Sequence, residues 1–333
     1  MNHSVGDPGL DPTLLPAPSL GDVRAAAARL QGVVRRTPLW RSDALSGICG
    51  ADVRLKLEGL QRTGAFKLRG AYNVIAQLPA GERARGLVTA SAGNHGMGVS
   101  LAARLLGARA IVFVPEDAPE NKRRKIARTG AELRRVAGGY DEAHAAAETF
   151  AAESGARFVH AFSDPGVVAG QGTVGLEILE EMPDVRTLVV PLGGGGLIGG
   201  VGTVARALGR GVRVVGVQTH ETAAMHASLA AGRLVSPTYG PTLCEGLSGD
   251  TDEAALALAM RVVDEVVLVA EDAVRDAIRW LHAEEGVVAE GSAAVGVAAL
   301  LTGAVRDIAG PVAVVITGSN IDAPVLARIL TES

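Results

Sequence analysis

Cysteine is scarce in this chain of 333 residues, which contains only Cys49 and Cys244. The two lie far apart and outside any C-x-x-C spacing, so neither a disulfide framework nor a thiolate metal site is expected, and a reducing cytoplasm is the predicted location. Long apolar runs are also missing, since no stretch approaches the roughly 18 residues that a membrane span requires. Residues 1–19 lack the basic and then apolar pattern of a secretory signal, and we expect them to form a loose tail.

Positive charge is limited as well, because the formal net charge is −4. The few basic clusters are short, which argues against a nucleic-acid partner. Lysine is rarer still: of 32 basic residues, all but Lys56, Lys67, Lys122 and Lys125 are arginine. Arginine can replace lysine as a surface charge but not as an amine nucleophile, so each of these lysines is a candidate for chemistry.

Short Val-rich runs alternate with helical patterns from about residue 85 onward. The predicted strands are Gly86–Ser91, Arg109–Pro115, Glu132–Ala137, Arg157–Phe162, Thr187–Pro191, Arg213–Gln218, Val266–Val269 and Val312–Thr317. The predicted helices are Asn94–Leu106, Glu120–Thr129, Tyr140–Ser154, one after the glycines at 193–196, Thr222–Gly232, Ala273–Glu285 and Ser292–Thr302. This alternation predicts an α/β fold with mostly parallel sheets, in which 82–161 forms a separate small domain.

Lys67 lies between Phe66 and Leu68, after a Thr-Gly turn and before a predicted helix. An amine among apolar groups is desolvated, which lowers its pKa and frees its lone pair for carbonyl chemistry. A structural lysine whose stem crosses apolar surface produces the same pattern, and by itself the motif favours that simpler interpretation.

Two loops have the composition of anion sites. Ser91 to Gly96, with the sequence Ser-Ala-Gly-Asn-His-Gly, joins a predicted strand to a helix and suits a substrate carboxylate, although an ordinary capped loop fits equally well. The four glycines at 193–196 leave consecutive N–H groups free for a phosphate. No Walker lysine follows them, and the next strand ends at Gln218 rather than at an acidic residue, which disfavours a nicotinamide site.

Thr317 follows the last predicted strand and precedes a glycine. A hydroxyl at this position could reach a ring nitrogen of a flat cofactor, although in isolation the motif is simply the end of a strand.

In this order, the four motifs resemble those of the serine/threonine dehydratase and serine racemase family. These are pyridoxal 5'-phosphate enzymes of the tryptophan-synthase β-chain fold type, and the resemblance runs from about Leu20 to Leu330. It implies the two-domain α/β architecture of fold type II, each domain a mostly parallel twisted sheet flanked by helices. The large, cofactor-binding domain would comprise 20–81 and 162–333, and 82–161 would be small and mobile. An amino-acid substrate and a homodimer are also implied.

The resemblance assigns roles to single residues. Lys67 would be the catalytic residue, which holds the cofactor as a Schiff base and removes the substrate Cα proton. The implied cofactor-binding residues are Phe66, Lys67, Asn94, Gly193, Gly194, Gly195, Gly196, Leu197 and Thr317. The implied substrate-binding residues are Ser91, Ala92, Gly93 and His95. Thr317 would face the pyridine nitrogen, and a neutral partner there makes the ring a milder electron sink, which favours loss of the β-hydroxyl. The expected reaction converts L-threonine or L-serine to a 2-oxo acid and ammonia.

Departures from the family pattern refine these expectations. Racemases of the family carry a serine where this chain has Ala92, so racemisation is disfavoured. The divalent-cation positions are occupied by Gln218 and Ala224, which supply no carboxylate, so no bound metal is expected. Glu245 and Glu290 match acidic positions near the active site without a defined role.

The chain stops soon after Asn320, so a C-terminal regulatory domain is not expected. Several alternatives remain open. They are an amino-acid racemase, a 3-hydroxyaspartate dehydratase, a β-replacement enzyme of cysteine-synthase type, a nicotinamide-dependent oxidoreductase and a non-enzymatic binding protein.

Overall fold

The computed structural model describes residues 17–209, 211–249 and 251–332, so most of the tail predicted for residues 1–19 lies outside the described residues. The strands are β1 (Leu39–Arg41), β2 (Val53–Leu57), β3 (Leu87–Ala90), β4 (Ala110–Pro115), β5 (Glu132–Val136), β6 (Arg157–Phe158), β7 (Thr187–Pro191), β8 (Arg213–Thr219), β9 (Glu265–Val269) and β10 (Val312–Ile316). The helices are α1 (Leu20–Leu30), α2 (Asp43–Cys49), α3 (Leu68–Gln77), α4 (Ala80–Arg85), α5 (Asn94–Leu105), α6 (Glu120–Arg128), α7 (Tyr140–Ser154), α8 (Pro165–Glu181), α9 (Gly196–Ala207), α10 (Ala224–Ala231), α11 (Glu253–Val262), α12 (Glu271–Glu285), α13 (Gly291–Leu301) and α14 (Ala323–Thr331).

The larger sheet has six strands in the order β1-β2-β10-β7-β8-β9. All neighbours are parallel except β1, which pairs antiparallel with β2 at one edge. Both faces are covered, because alternate residues of a strand point to opposite sides. In β10, Val312 and Val314 pack with α12 and α13, whereas Ala313 and Val315 pack with α8 and α9. The Val-rich strands of the sequence are therefore explained by burial on both faces.

The smaller sheet has four parallel strands in the order β5-β4-β3-β6. One face packs on α7, where Val88 and Ile111 contact Ala143 and Ala147. Helices α3, α5 and α6 cover the other face. The α/β class with two mainly parallel sheets is thus confirmed.

Each predicted strand is present, and the predicted bounds agree with the structure to within one residue at every strand but one. The prediction Arg157–Phe162 is wrong beyond Phe158, where β6 ends. His160 causes the departure, because its Nδ1 accepts hydrogen bonds from the backbone N–H groups of Phe162 and Ser163, at 3.4 and 3.1 Å. These bonds close a turn, and the chain leaves the sheet.

The 17-residue helix α8 was not anticipated from the sequence. Its residues from Val167 to Leu176 are buried all round, so it lacks the polar face that makes a helical period visible. Its start is nevertheless capped, since Asp164 Oδ1 accepts a hydrogen bond from Gly166 N at 2.7 Å and Pro165 occupies the first turn.

Candidate active site

A cleft of about 1050 Å³ opens where β3, β7 and β10 end at their carboxyl termini. In parallel α/β sheets this edge is the usual location of ligand sites. The cleft is lined by every site residue predicted from the sequence, namely Phe66, Lys67, Ser91, Ala92, Gly93, Asn94, His95, Gly193, Gly194, Gly195, Gly196, Leu197 and Thr317. The fold therefore brings together side chains that are up to 251 positions apart, from Phe66 to Thr317.

Lys67 immediately precedes α3 and is held against the end of β10. Phe66 N donates to Thr317 O at 3.1 Å, and a β-bridge joins Ala65 to Gly318. The Lys67 amine donates to Ala161 O at 3.1 Å and lies 5.2 Å from the centroid of the Phe66 ring. Burial lowers the pKa of Lys67 from 10.5 to about 8, although the Glu290 carboxylate opposes the shift. A fraction of this amine is therefore unprotonated near neutral pH.

The four glycines form a tight turn between β7 and α9. Gly195 has φ of +97°, a left-handed conformation that glycine adopts without strain. A Cβ on Gly194 would lie 2.5 Å from the Phe162 ring, so no larger residue fits there. Helix α9 then begins at Gly196 with no side-chain cap, which leaves its first N–H groups available to an anion.

A second uncapped helix start faces the same cleft. Gly93 precedes α5 and supplies no side-chain cap, while Ser91 Oγ accepts a hydrogen bond from Gly93 N at 3.2 Å. Ala92 presents only a methyl group between them. The first turn of α5 is thus suited to a carboxylate, and the loop offers no proton donor at Ala92.

His95 is buried and neutral. Its Nε2 lies 2.9 Å from Val159 O, and since a carbonyl only accepts, Nε2 carries the proton. Burial and the charge of Lys67 lower the pKa of His95 to about 3. Its Nδ1 has no hydrogen-bond partner among the described residues and can only accept. His95 is therefore a fixed acceptor rather than an acid at neutral pH.

Two sets of contacts in the cleft were not predicted from the sequence. The turn formed by His160 places the Ala161 carbonyl beside Lys67 and packs Phe162 beneath the glycine loop. The Asn94 side chain contacts Glu290 and Asn320, which follow it by 196 and 226 positions. Only the tertiary fold brings such distant residues together.

Helix α6 lies at the rim of the cleft. Lys122 forms an ion pair with Glu245, and Asn121 donates a hydrogen bond to Asp322. Lys125 Nζ also lies 3.5 Å from Asn320 Oδ1. The smaller sheet and its helices are therefore in direct contact with the loops of the larger one.

The positions that matched a cation site are internally satisfied. Gln218 Nε2 donates to Thr222 O at 2.5 Å, and Gln218 Oε1 accepts from His226 N at 2.8 Å, while Ala224 is buried. Within the described ranges, no group of three or more His, Cys, Asp or Glu side chains is arranged to hold a metal ion. The expectation that no metal binds here stays a prediction.

A family-wide sequence profile described as "Pyridoxal-phosphate dependent enzyme" matches residues 30–318. The chain belongs to this family. The residues present fit the pyridoxal-phosphate cofactor, because a desolvated lysine amine and an uncapped helix start at a glycine turn share one cleft. Among the described residues, none of the helices has the length and apolarity to cross a membrane.

Relatives within the pyridoxal-phosphate dependent family are similar over nearly the whole chain. An L-threonine ammonia-lyase of Thermotoga maritima is 46% identical over 316 residues, which cover 94% of this chain and 78% of that protein. The structure of maize serine racemase superposes with a TM-score of 0.90 at 30% identity, covering 94% of this chain and 97% of that one. The processed form of threonine deaminase isoform 2 from Solanum lycopersicum gives a TM-score of 0.86 at 29% identity, with 95% of each chain covered.

Proposed function

We propose that this protein is an ammonia-lyase that dehydrates and deaminates a hydroxy amino acid, L-threonine or L-serine, to a 2-oxo acid and ammonia. The observation that carries the proposal is the amine of Lys67, desolvated and set in one cleft with two uncapped helix starts. One helix start suits the phosphate of the cofactor and the other suits the carboxylate of the substrate. The similarity to an L-threonine ammonia-lyase over 94% of the chain supports this substrate class.

The residues that would hold the cofactor are distributed over both sheets. Lys67 would bind it covalently through its amine, with Phe66 packed beside it. The glycine loop and Leu197 would bind its phosphate at the start of α9, Asn94 its ring hydroxyl and Thr317 its ring nitrogen. When bound, pyridoxal phosphate withdraws electrons from the substrate Cα and so makes loss of the Cα proton feasible.

Lys67 would also remove the Cα proton of the substrate. Its lowered pKa lets the amine accept the Cα proton near neutral pH, and the Ala161 carbonyl 3.1 Å away orients it. The first turn of α5 would bind the substrate carboxylate through Ser91 to His95. A racemase needs a second proton donor, and the methyl group of Ala92 cannot supply one. Elimination is therefore favoured over racemisation.

We propose a cytoplasmic homodimer in which 82–161 forms a mobile domain over the cleft. The location is supported by the two free cysteines, Cys49 and Cys244. The mobile domain is supported by the separate sheet of β3 to β6 and by the polar contacts that α6 makes with the opposite rim.

The first experiment measures release of 2-oxo acid from purified holo-protein given L-threonine, L-serine, D-serine or 3-hydroxyaspartate separately. We expect release from L-threonine or L-serine. Lys67→Ala should abolish turnover and the visible absorption of the bound cofactor, whereas Arg24→Ala, on the exposed face of α1, should leave both unchanged. Interconversion of L- and D-serine without ammonia release would instead identify a racemase, and full activity of Lys67→Ala would refute the assignment.

A further inference from the structure

The side-chain amide of Asn320 has only one orientation compatible with its partners. Its Nδ2 lies 2.8 Å from Thr63 O and 2.8 Å from Asn94 Oδ1. Because Thr63 O is a carbonyl that can only accept, the nitrogen of the amide must face it. The Oδ1 on the other side faces Lys125 Nζ at 3.5 Å, a group that can only donate. Both ends of the Asn320 amide are thereby assigned.

This assignment determines the orientation of the neighbouring Asn94. Since Asn320 Nδ2 is the donor, the atom of Asn94 that it meets must be the acceptor Oδ1. Asn94 Nδ2 then faces Glu290 and donates to its Oε1 at 2.7 Å. The nitrogen carries two hydrogens, so one remains for an acceptor in the cleft.

Glu290 is itself held in a fixed place. It occupies the N-cap position of α13 without a side-chain capping bond, and its backbone N–H donates to Gly318 O at 3.1 Å. A Cβ on Gly318 would lie 2.3 Å from Glu290 Oε1, so the carboxylate rests directly against a backbone that has no side chain. This glycine follows Thr317 at the end of β10, and the carboxylate is therefore positioned by the same strand end as the proposed cofactor partner.

The surroundings of Glu290 are positively charged from two sides. Lys122 and Lys125 of α6 and Lys67 before α3 all interact electrostatically with its carboxylate. Burial nevertheless raises the pKa of Glu290 to about 7. In either protonation state one carboxyl oxygen can accept the Asn94 hydrogen bond.

We propose that Glu290 is a positioning residue, which orients the Asn94 amide so that its second N–H points at the ring-hydroxyl oxygen of the cofactor. Glu290 acts through Asn94, to which it is hydrogen-bonded. The inference rests on the proposed cofactor site and adds to it a residue for which the sequence indicated no role. Lys125 and Asn320 complete the chain of hydrogen bonds that determines the orientation.

The test is a double-mutant cycle read out on cofactor binding. The Kd of pyridoxal phosphate is measured by titrating the resolved protein and following the visible absorption band. Glu290→Ala should raise Kd roughly tenfold to a hundredfold, the range expected for a hydrogen bond with a charged partner, and should shift the band. Glu290→Gln should stay within about threefold of the parent, because its amide oxygen still accepts from Asn94.

The cycle separates a positioning role from a merely structural one. Asn94→Ala should raise Kd as much as Glu290→Ala, and the double variant should bind no more weakly than Asn94→Ala alone. Additive losses, an unchanged Kd in Glu290→Ala, or equal losses in the Gln and Ala variants would each overturn the proposal.

A further variant covers the case in which Glu290→Ala does not fold. Asn320→Asp removes the N–H donors toward Asn94 and should weaken cofactor binding by a similar factor, and an unchanged Kd would overturn the inference. If the parent protein binds no pyridoxal phosphate, the proposed function fails together with this inference. If the parent binds it and the variants bind equally well, only the role of Glu290 fails.

Discussion

Arg69, two positions after the proposed catalytic lysine, belongs to an ion cluster that the sequence did not reveal. Its guanidinium is fully buried and forms paired hydrogen bonds with Glu58, both at 2.8 Å, and with Glu177 at 2.6 and 3.0 Å. Lys56, also buried, lies 2.6 Å from Glu177. Burial alone would raise the pKa of Glu58, but Arg69 outweighs it and holds the pKa below its ordinary value. The buried cations Lys56 and Arg69 thus pair with the carboxylates of Glu58 and Glu177.

We predict that Arg69→Met destabilises the protein by about 3–5 kcal/mol, because it leaves the buried Glu58 and the partly buried Glu177 with Lys56 as their remaining cation. The free energy of unfolding in urea measures this loss. Arg62→Met is the matched control, since Arg62 is exposed and should change stability by no more than about 0.5 kcal/mol. A loss below about 1 kcal/mol in Arg69→Met would show that the cluster is not important for stability.

At the scale of elements, the site consists of strand ends and the helix starts that follow them. The turn before α9 packs so closely on Phe162 that its backbone, rather than any side chain, forms the proposed phosphate site. The turn before α5 is built in the same way on Gly93. Both turns lie in the cleft because parallel strands end at the same edge of a sheet, so the loops that follow them lie close together.

Gly194→Ala should weaken binding of pyridoxal phosphate by roughly fivefold to a hundredfold. The added Cβ would lie 2.5 Å from the Phe162 ring, so the loop must shift, and overpacking of this kind costs about 1–3 kcal/mol. Titration of the resolved protein with cofactor measures the change. Gly47→Ala, where a Cβ meets nothing within 4 Å, is the control and should leave the Kd unchanged. Equal affinities of the two variants would contradict the role of the loop.

At the scale of the whole molecule, two buried groups in the cleft make stability depend on pH with opposite signs. The pKa of His95 is lowered from 6.5 to about 3. As the pH falls through 6.5, the imidazole therefore gains a proton in the unfolded chain but not in the folded chain. The free energy of unfolding decreases as a result, down to about pH 3. The pKa of Glu290 is raised from 4.5 to about 7. Between these values the folded chain keeps a proton that the unfolded chain releases. The contribution of Glu290 to the free energy of unfolding is therefore fully present below pH 4.5 and is lost as the pH rises through 7.

We predict that variants at the two positions change the pH profile of unfolding in opposite directions. Relative to the parent, His95→Gln should lose less stability between pH 6.5 and 5, and Glu290→Gln should lose less between pH 5 and 7. Each unit of pKa difference corresponds to about 1.4 kcal/mol. Urea unfolding at three pH values measures both slopes. Parallel profiles for parent and variants would mean that neither group is perturbed in the folded protein.

Most of the elements after residue 85, together with the motifs, could be predicted from short stretches of sequence. Val-rich strands, the glycine turn at 193–196 and the loop after Ser91 each carry their signal in neighbouring residues, because backbone conformation and burial on both faces impose local patterns. Helix α8 and the early end of β6 could not be predicted in this way. The first has no polar face, and the second depends on the side chain of His160.

The sequence by itself determined that the chain forms an α/β fold and that Lys67, the glycine loop and Thr317 are candidates for one kind of chemistry. Only the tertiary structure decided which atoms of Glu290 and Asn320 contact Asn94 in the cleft and that Lys56 and Arg69 are balanced by carboxylates in the core. It also decided the direction of the hydrogen bonds from Asn320 to Glu290. The reason is physical: hydrogen-bond direction, desolvation and pairing of charges depend on neighbours in space. Such neighbours can be distant in the chain, as are Thr63 and Asn320, which are 257 positions apart.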